Sequence, residues 1–257
     1  MAVRPEFVLV VERGKLFTEG FTPHGFFSNS ATLSRPFEYI LDNAFFMERA
    51  YAEIHPQYKQ IIPYIVVNSV EGKVDILDET TYPLFVYQRT KKGGEKRLHN
   101  MFSIGIGGHI NPEDNGESGL HTFVAGAIRE LREELNVVLS EDSETLDDQI
   151  CSPIGYINDD TTRVGAVHFG VVCSVLVQTA TVRETSQIQG DFAYPHQLDA
   201  IPGRIKSKEV LGFEPGEYES WSQMLISTSD LLLSTSKLAH QKKEAYFGFS
   251  TPEESNV

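Results

Sequence analysis

The run Ala127–Val138, AIRELREELNVV, places Glu130, Glu133 and Glu134 close to Arg129 and Arg132. On a helix turning about 100° per residue, the three carboxylates share an arc of roughly 100°. They lie beside an apolar stripe of Val124, Ile128, Leu131 and Leu135. Like charges at helical-neighbour spacing repel, so the crowding needs a cause. One cause is an acidic face that is simply hydrated, the commoner case for an arbitrary helix. The other is a hard oxygen cluster for magnesium or manganese, whose charge relieves the repulsion. Two features favour the cluster. The carboxylates border a buried stripe and face a glycine turn, and the small Gly126 and Ala127 one turn earlier leave room for a ligand.

The string RELREEL at Arg129–Leu135, downstream of GGHI at Gly107–Ile110, resembles the box of the Nudix (MutT-like) hydrolases. The family pattern is a glycine, five residues, Glu, seven residues, then Arg-Glu-apolar-x-Glu-Glu-x-Gly-apolar. The likeness is specific in the box and loose from about Gln60 to Ala239, where ESWSQMLISTSDLL is similar to the family's late strand and following helix. It implies a Nudix-type α/β/α sandwich with a mixed β-sheet and a metal-dependent pyrophosphohydrolase activity. Glu130, Glu133 and Glu134 then match the metal-binding and catalytic glutamates, Gly107 matches a glycine whose carbonyl supplies a further ligand, and Arg129 orients the carboxylates. The implied cofactor is Mg2+ or Mn2+. Divalent ions of this kind bridge phosphate oxygens, neutralise charge and lower the pKa of a water that attacks phosphorus. Glu133 or Glu134 is a candidate to deprotonate that water; Glu184, Glu214 and Glu217 are candidates from more distant loops.

The box departs from the pattern. Its closing glycine is Asn136, the next best residue for a left-handed helix cap. Counted back from Arg129, the first glutamate falls on His121, and Gly108 lies too far upstream. An insertion accounts for both. Glu117, in the GES run at Gly116–Ser118, then stands in for the missing carboxylate, or His121 lies at the edge of the apolar stripe. The altered box also suits a rival of a different class, a catalytically silent Nudix-fold nucleotide-binding or regulatory domain. Pro153, sixteen residues after Val137, resembles a proline of members acting on ADP-ribose, which favours an ADP-ribose-like nucleoside diphosphate derivative as substrate.

Beyond the box, the substrate-binding candidates are Glu117, His168, Arg163 and Arg89. His168, in AVHFGVV, reads as a sheet-face histidine or as a base or phosphate contact. Arg163 shares the loop INDDTTRVG with Asp159 and Asp160, a place for substrate contacts or a polar hairpin. Arg89 precedes the basic loop KKGGEKR, which approaches phosphates or is an ordinary charged turn. Phe26, Phe27, Phe37, Tyr39, Phe45 and Phe46 read as core, with nucleobase stacking or a homodimer interface as alternatives.

The elements that must hold these residues follow from periodicity. Residues 1–60 read as an N-terminal extension packed on the main domain: EFVLVVE is a strand, and a helix runs from Pro36 to before Pro56. Residues 61–240 form the main domain. Its strands are IIPYIVVNSV, PLFVYQRT and FSIGIGGHI, then SPIGYIN and VGAVHFGVVCSVLVQ after the helix Thr122–Leu135 and an acidic loop SEDSETLDDQ. Arg183–Lys208 reads as irregular, YESWSQMLI as a strand, and a last helix opens near Ser229 and Asp230. Residues 241–257 are a tail.

With 257 residues and 40% hydrophobic content, the chain can bury a large core. Its net charge of −14 excludes a general nucleic-acid backbone binder, so a phosphate substrate needs a local cation. Cys151 and Cys173 are too few for a disulfide framework. The N-terminal apolar run is too short for a signal peptide or membrane span, so a cytoplasmic, membrane-free protein acting on a small nucleotide-type molecule is expected.

Overall fold

The computed structural model describes residues 4–17, 22–28, 36–76, 79–90, 99–141, 143–194, 198 and 217–228. The KKGGEKR loop, Glu214, the helix expected from Ser229 and the tail lie outside them. In chain order the strands are β1 (Phe7–Glu12), β2 (Gly25–Ser28), β3 (Phe45–Glu48), β4 (Tyr58–Ser69), β5 (Val74–Ile76), β6 (Glu79–Thr81), β7 (Leu84–Arg89), β8 (Phe102–Ser103), β9 (Ile106–Gly107), β10 (Leu135–Val138), β11 (Gly155–Asn158), β12 (His168–Val177), β13 (Thr179–Val182) and β14 (Ile188–Ala193). The helices are α1 (Arg13–Leu16), α2 (Pro36–Asn43), α3 (Arg49–Ala52), α4 (Gly119–Glu134), α5 (Leu146–Ile150) and α6 (Ser220–Ile226).

The spine of the fold is β4 paired in parallel with β12 over the whole run from His168↔Gln60 to Val177↔Ser69. Around it the principal sheet runs β14-β7-β4-β12-β11-β2, and the pairings other than β4–β12 are antiparallel. Both faces are covered, so β4 reads as a continuous apolar run rather than an alternating one. Its residues still point alternately up and down. Ile61, Ile65 and Val67 face a core shared with Phe123, Val124, Ala127 and Leu131 of α4. Tyr64 and Val66 face a second core with Leu225 and Ile226 of α6. The result is a mixed sheet between helical layers. Among the described residues no helix is long and apolar enough to cross a membrane.

Several expected elements differ. The helix from Pro36 stops at Asn43, because Phe45–Glu48 turns into a strand that pairs with β1. Here cross-strand pairing outweighs local helix preference. The expected strand FSIGIGGHI splits into β8 on β7 and β9 on β4. The acidic loop contains α5, capped by the Thr145 side chain. Part of the stretch read as irregular is β14, held to the edge of β7. YESWSQMLI is the helix α6 instead of a strand: Glu219 accepts from the backbone N–H groups of Trp221 and Ser222, and only Tyr218 bridges to Phe102. Finally, Asn136 is not a left-handed cap. Helix α4 ends in extended backbone at Leu135, and Asn136 pairs with Thr181 between β10 and β13.

Candidate functional site

Helix α4 begins at the Ser118 cap and delivers its last turn to the glycine turn after β9. Arg129 is the hub. Its Nε and Nη2 donate to the two oxygens of Asp114, each at 2.8 Å, in a forked pair. Nη2 also donates to the His109 carbonyl at 2.8 Å, and Nη1 to Glu130 at 2.8 Å and Glu133 at 3.1 Å. The Asp114 bond, with Glu130 and Glu133 beside it, raises the Arg129 pKa and fixes its charge. Asp114 is buried, and its second oxygen also accepts the Asn111 N–H. A Cβ on Gly108 would collide with the Glu130 carboxylate, so the turn admits that carboxylate only because residue 108 is glycine, and a Cβ on Gly107 would collide with the Pro63 carbonyl across the β4–β9 pair.

Burial raises the pKa of Glu130, opposed by Arg129, and that of Glu134, opposed by Arg89. Arg89 leans over the Tyr87 ring, 5.6 Å from its centroid, and Tyr87 donates to the Gly105 carbonyl at 3.1 Å. Thus Arg89, Glu134 and the glycine turn share one end of the sheet. Gly126 and Ala127 do not leave the space expected of them: Ala127 is in the core, and Gly126 lies against Ile110 and Asp114.

The structure gathers Gly107, Arg129, Glu130, Glu133, Glu134 and Arg89, and leaves others apart. Arg129 is held by Asp114, not by Glu117 or His121. Glu117 is exposed just before the cap, and His121 is exposed with its ring against Ser118. Arg163 is exposed. Its neighbour Asp160 instead binds Lys59 at 2.8 Å and Arg13 at 2.6 Å. Glu184 pins its own turn through Ser186, and Glu217 is exposed ahead of α6. Phe27 and Phe37 pack on Tyr156 and Phe123, respectively. Among the described residues no three His, Cys, Asp or Glu side chains already converge as a cation cage.

Two contributors went unread. Asp114 stands six residues after Gly108, the spacing that the box gives its first carboxylate, and counting forward from Gly108 would have found it. His109 carries the carbonyl that Arg129 grips, and its ring lies 3.2 Å from His168, Nε2 to Nε2. His168 Nδ1 is 2.7 Å from the Val164 carbonyl, which can only accept, so Nδ1 bears the hydrogen. Burial lowers the His168 pKa and takes that of His109 down to about 3, with Arg49, His168 and Arg129 adding to it. The Nε2–Nε2 contact needs one hydrogen between the two rings, and His168 already carries its own on Nδ1. His168 Nε2 is the acceptor, and His109 Nε2–H is the donor.

No family model matches the chain. A solved structure of Tm1382, described as a candidate Nudix hydrolase, aligns with a TM-score of 0.61 and 26% identity over 88% of this chain and 98% of that one. Protein YmaB of Bacillus subtilis (strain 168) is 31% identical over 232 residues, 88% of this chain and 98% of its own length. The chain therefore belongs to the family of Protein YmaB, and its architecture is of the Nudix type.

Proposed function

We propose that the chain is a divalent-cation-dependent pyrophosphohydrolase cleaving the diphosphate linkage of a nucleoside diphosphate derivative, with an ADP-ribose-like molecule as the favoured substrate. The observation that carries this reading is Arg129 tied to Asp114 while holding Glu130 and Glu133 beside the glycine turn. The residues suit magnesium or manganese. Their donors are hard carboxylate oxygens, Glu130 and Glu134 are desolvated with raised pKa values that a cation would offset, and Gly108 lets the Glu130 carboxylate lie directly against the turn. Glu130, Glu133 and Glu134 would hold the ion, with the Gly107 carbonyl as a further ligand. When bound, the ion supplies charge neutralisation for the diphosphate and Lewis acidity toward water.

The chain's own groups do the rest. Asp114 and Arg129 keep Glu130 and Glu133 in one arrangement, so little reorganisation is needed when the anionic substrate arrives. Arg89, next to Glu134, offers a guanidinium to the outer phosphate oxygens. Glu133, the most exposed of the three, or Glu134 receives the proton of the attacking water. An acidic chain of this kind draws a small anion through a local cation, not a nucleic-acid backbone. Its two free cysteines accord with a reducing, cytoplasmic setting.

The test is nucleotide release from ADP-ribose, dinucleotides, nucleotide sugars and nucleoside triphosphates, with magnesium, manganese or chelator. Metal-dependent cleavage, abolished by chelator and reduced about 100-fold or more by Glu134→Gln, is expected. No metal-dependent cleavage anywhere in the panel would sink the reading.

A further inference from the structure

His109 and His168 stand behind the acidic cluster, joined ring to ring. Hydrogen bonds run from His168 Nδ1–H to the Val164 carbonyl and from His109 Nε2–H to His168 Nε2, and through the covalent frame of His109 its main-chain carbonyl accepts from Arg129. Arg129 then reaches Asp114, Glu130 and Glu133. Each end of this line is fixed. Val164 leads into the turn of Gly165–Val167 that precedes β12, and that turn is clamped by Lys59, whose Nζ donates to the Gly165 and His168 carbonyls at 2.8 and 3.2 Å. At the other end the cluster sits on the last turn of α4. His168 is buried at the first position of β12, in register with Gln60 of β4.

We propose that His168 is a positioning residue for the cation site, acting through the His109 ring to set the His109 carbonyl and so the guanidinium that arranges Glu130 and Glu133. This rests on the reading of those glutamates as cation ligands. The physical reason is directional. Without an acceptor at the His168 Nε2 position, the His109 ring loses the bond that fixes its orientation, and a buried N–H is left unpaired. The His109 main chain then gains freedom just where Arg129 grips it. Partners that orient ligands in this way commonly change metal affinity or activity by 10–100-fold when removed.

The experiment uses the full chain and manganese as the probe, with binding followed calorimetrically and the fold by thermal melting. His168→Phe fills the space and removes the acceptor, and His168→Gln restores an acceptor near the Nε2 position. His109→Phe breaks the same bond from the other side and serves if His168→Phe fails to fold. Wild-type protein should bind manganese, either phenylalanine variant should bind it about tenfold more weakly with its melting transition retained, and His168→Gln should recover most of the loss. In turnover, the phenylalanine variants should lower kcat with little change in KM. Folded phenylalanine variants that bind manganese as the wild type does would overturn the positioning role while leaving the proposed activity standing. Wild-type protein that binds no manganese would overturn both.

Discussion

Glu134 shows how a single side chain can work against the fold that carries it. Burial raises its pKa, so the folded chain holds the proton more tightly than the unfolded one. Its contribution to stability is complete below the ordinary carboxylate pKa and is lost as pH rises through the higher folded value. In chelator, the melting-point advantage of Glu134→Gln over the wild type should therefore be larger at neutral pH than in mild acid, a comparison in which the loss of stability that the buried, neutral His109 and His168 bring on acidification is common to both proteins. Glu134→Gln should also raise the neutral-pH melting point itself and, with Glu134 a cation ligand as proposed, should be stabilised less by added manganese than the wild type. Melts of both proteins with and without manganese check all three outcomes. Helical period and box spacing agree on Glu130, Glu133 and Glu134, and the fold carries all three on the last turn of α4. Asp114 was not legible in the same way, because counting back from Arg129 assumes a fixed box length, and here seven more residues than the pattern allows separate the two. His109 was missed because its contribution comes through a main-chain carbonyl, which no residue type announces.

At the scale of elements, long apolar segments were readable and short edge segments were not. Strands β4, β7 and β12 and helix α4 show unbroken burial or a clear apolar stripe. Strand β14 alternates exposed and buried residues with polar side chains outward, so only its pairing with β7 marks it. Helix α6 is set by the Glu219 cap, a local bond that hydrophobic period does not register. The clamp between β4 and the turn before β12 is a further case, since Lys59 is fully buried although its type favours solvent. Burial lowers its pKa, while Asp160 and two carbonyls retain its charge. Lys59→Met should cost on the order of 3 kcal/mol, because it removes one of the two cations from the partly buried Asp160, leaving it Arg13 alone, and takes an ammonium donor from two buried carbonyls. Equilibrium unfolding in urea measures it, and a change within a few tenths would mean that the clamp is dispensable.

For the molecule as a whole, the described residues among the first sixty share the sheet and core of the rest. Strand β1 joins β3 to β4, and its Leu9 N–H donates to the Ile110 carbonyl at 2.9 Å, just after the glycine turn. Leu9, Val11, Leu16, Phe37 and Ile40 belong to the same core as Ile61 and Leu131. Arg13 crosses to Asp160. A fragment beginning at Tyr58 should therefore lose near-UV circular dichroism and its cooperative melt, whereas the full chain should unfold in one transition. A fragment that melts cooperatively would make the extension an independent unit.

The lengthened box has a consequence of its own. Seven residues carry an α-helix through about 700°, only some 20° short of two full revolutions. Extra length in that step therefore leaves the azimuth of Arg129, Glu130, Glu133 and Glu134 nearly unchanged, whereas five added residues would swing them to the far side of the rod. The upstream turns of α4 are also where the extension docks: the Phe123 ring meets Phe37 edge-on at 5.0 Å, and Gly119 has no side chain to hold off the Leu41 carbonyl. A chain shortened by seven residues there would keep its acidic face aimed as now and lose the ledge on which its N-terminal segment rests.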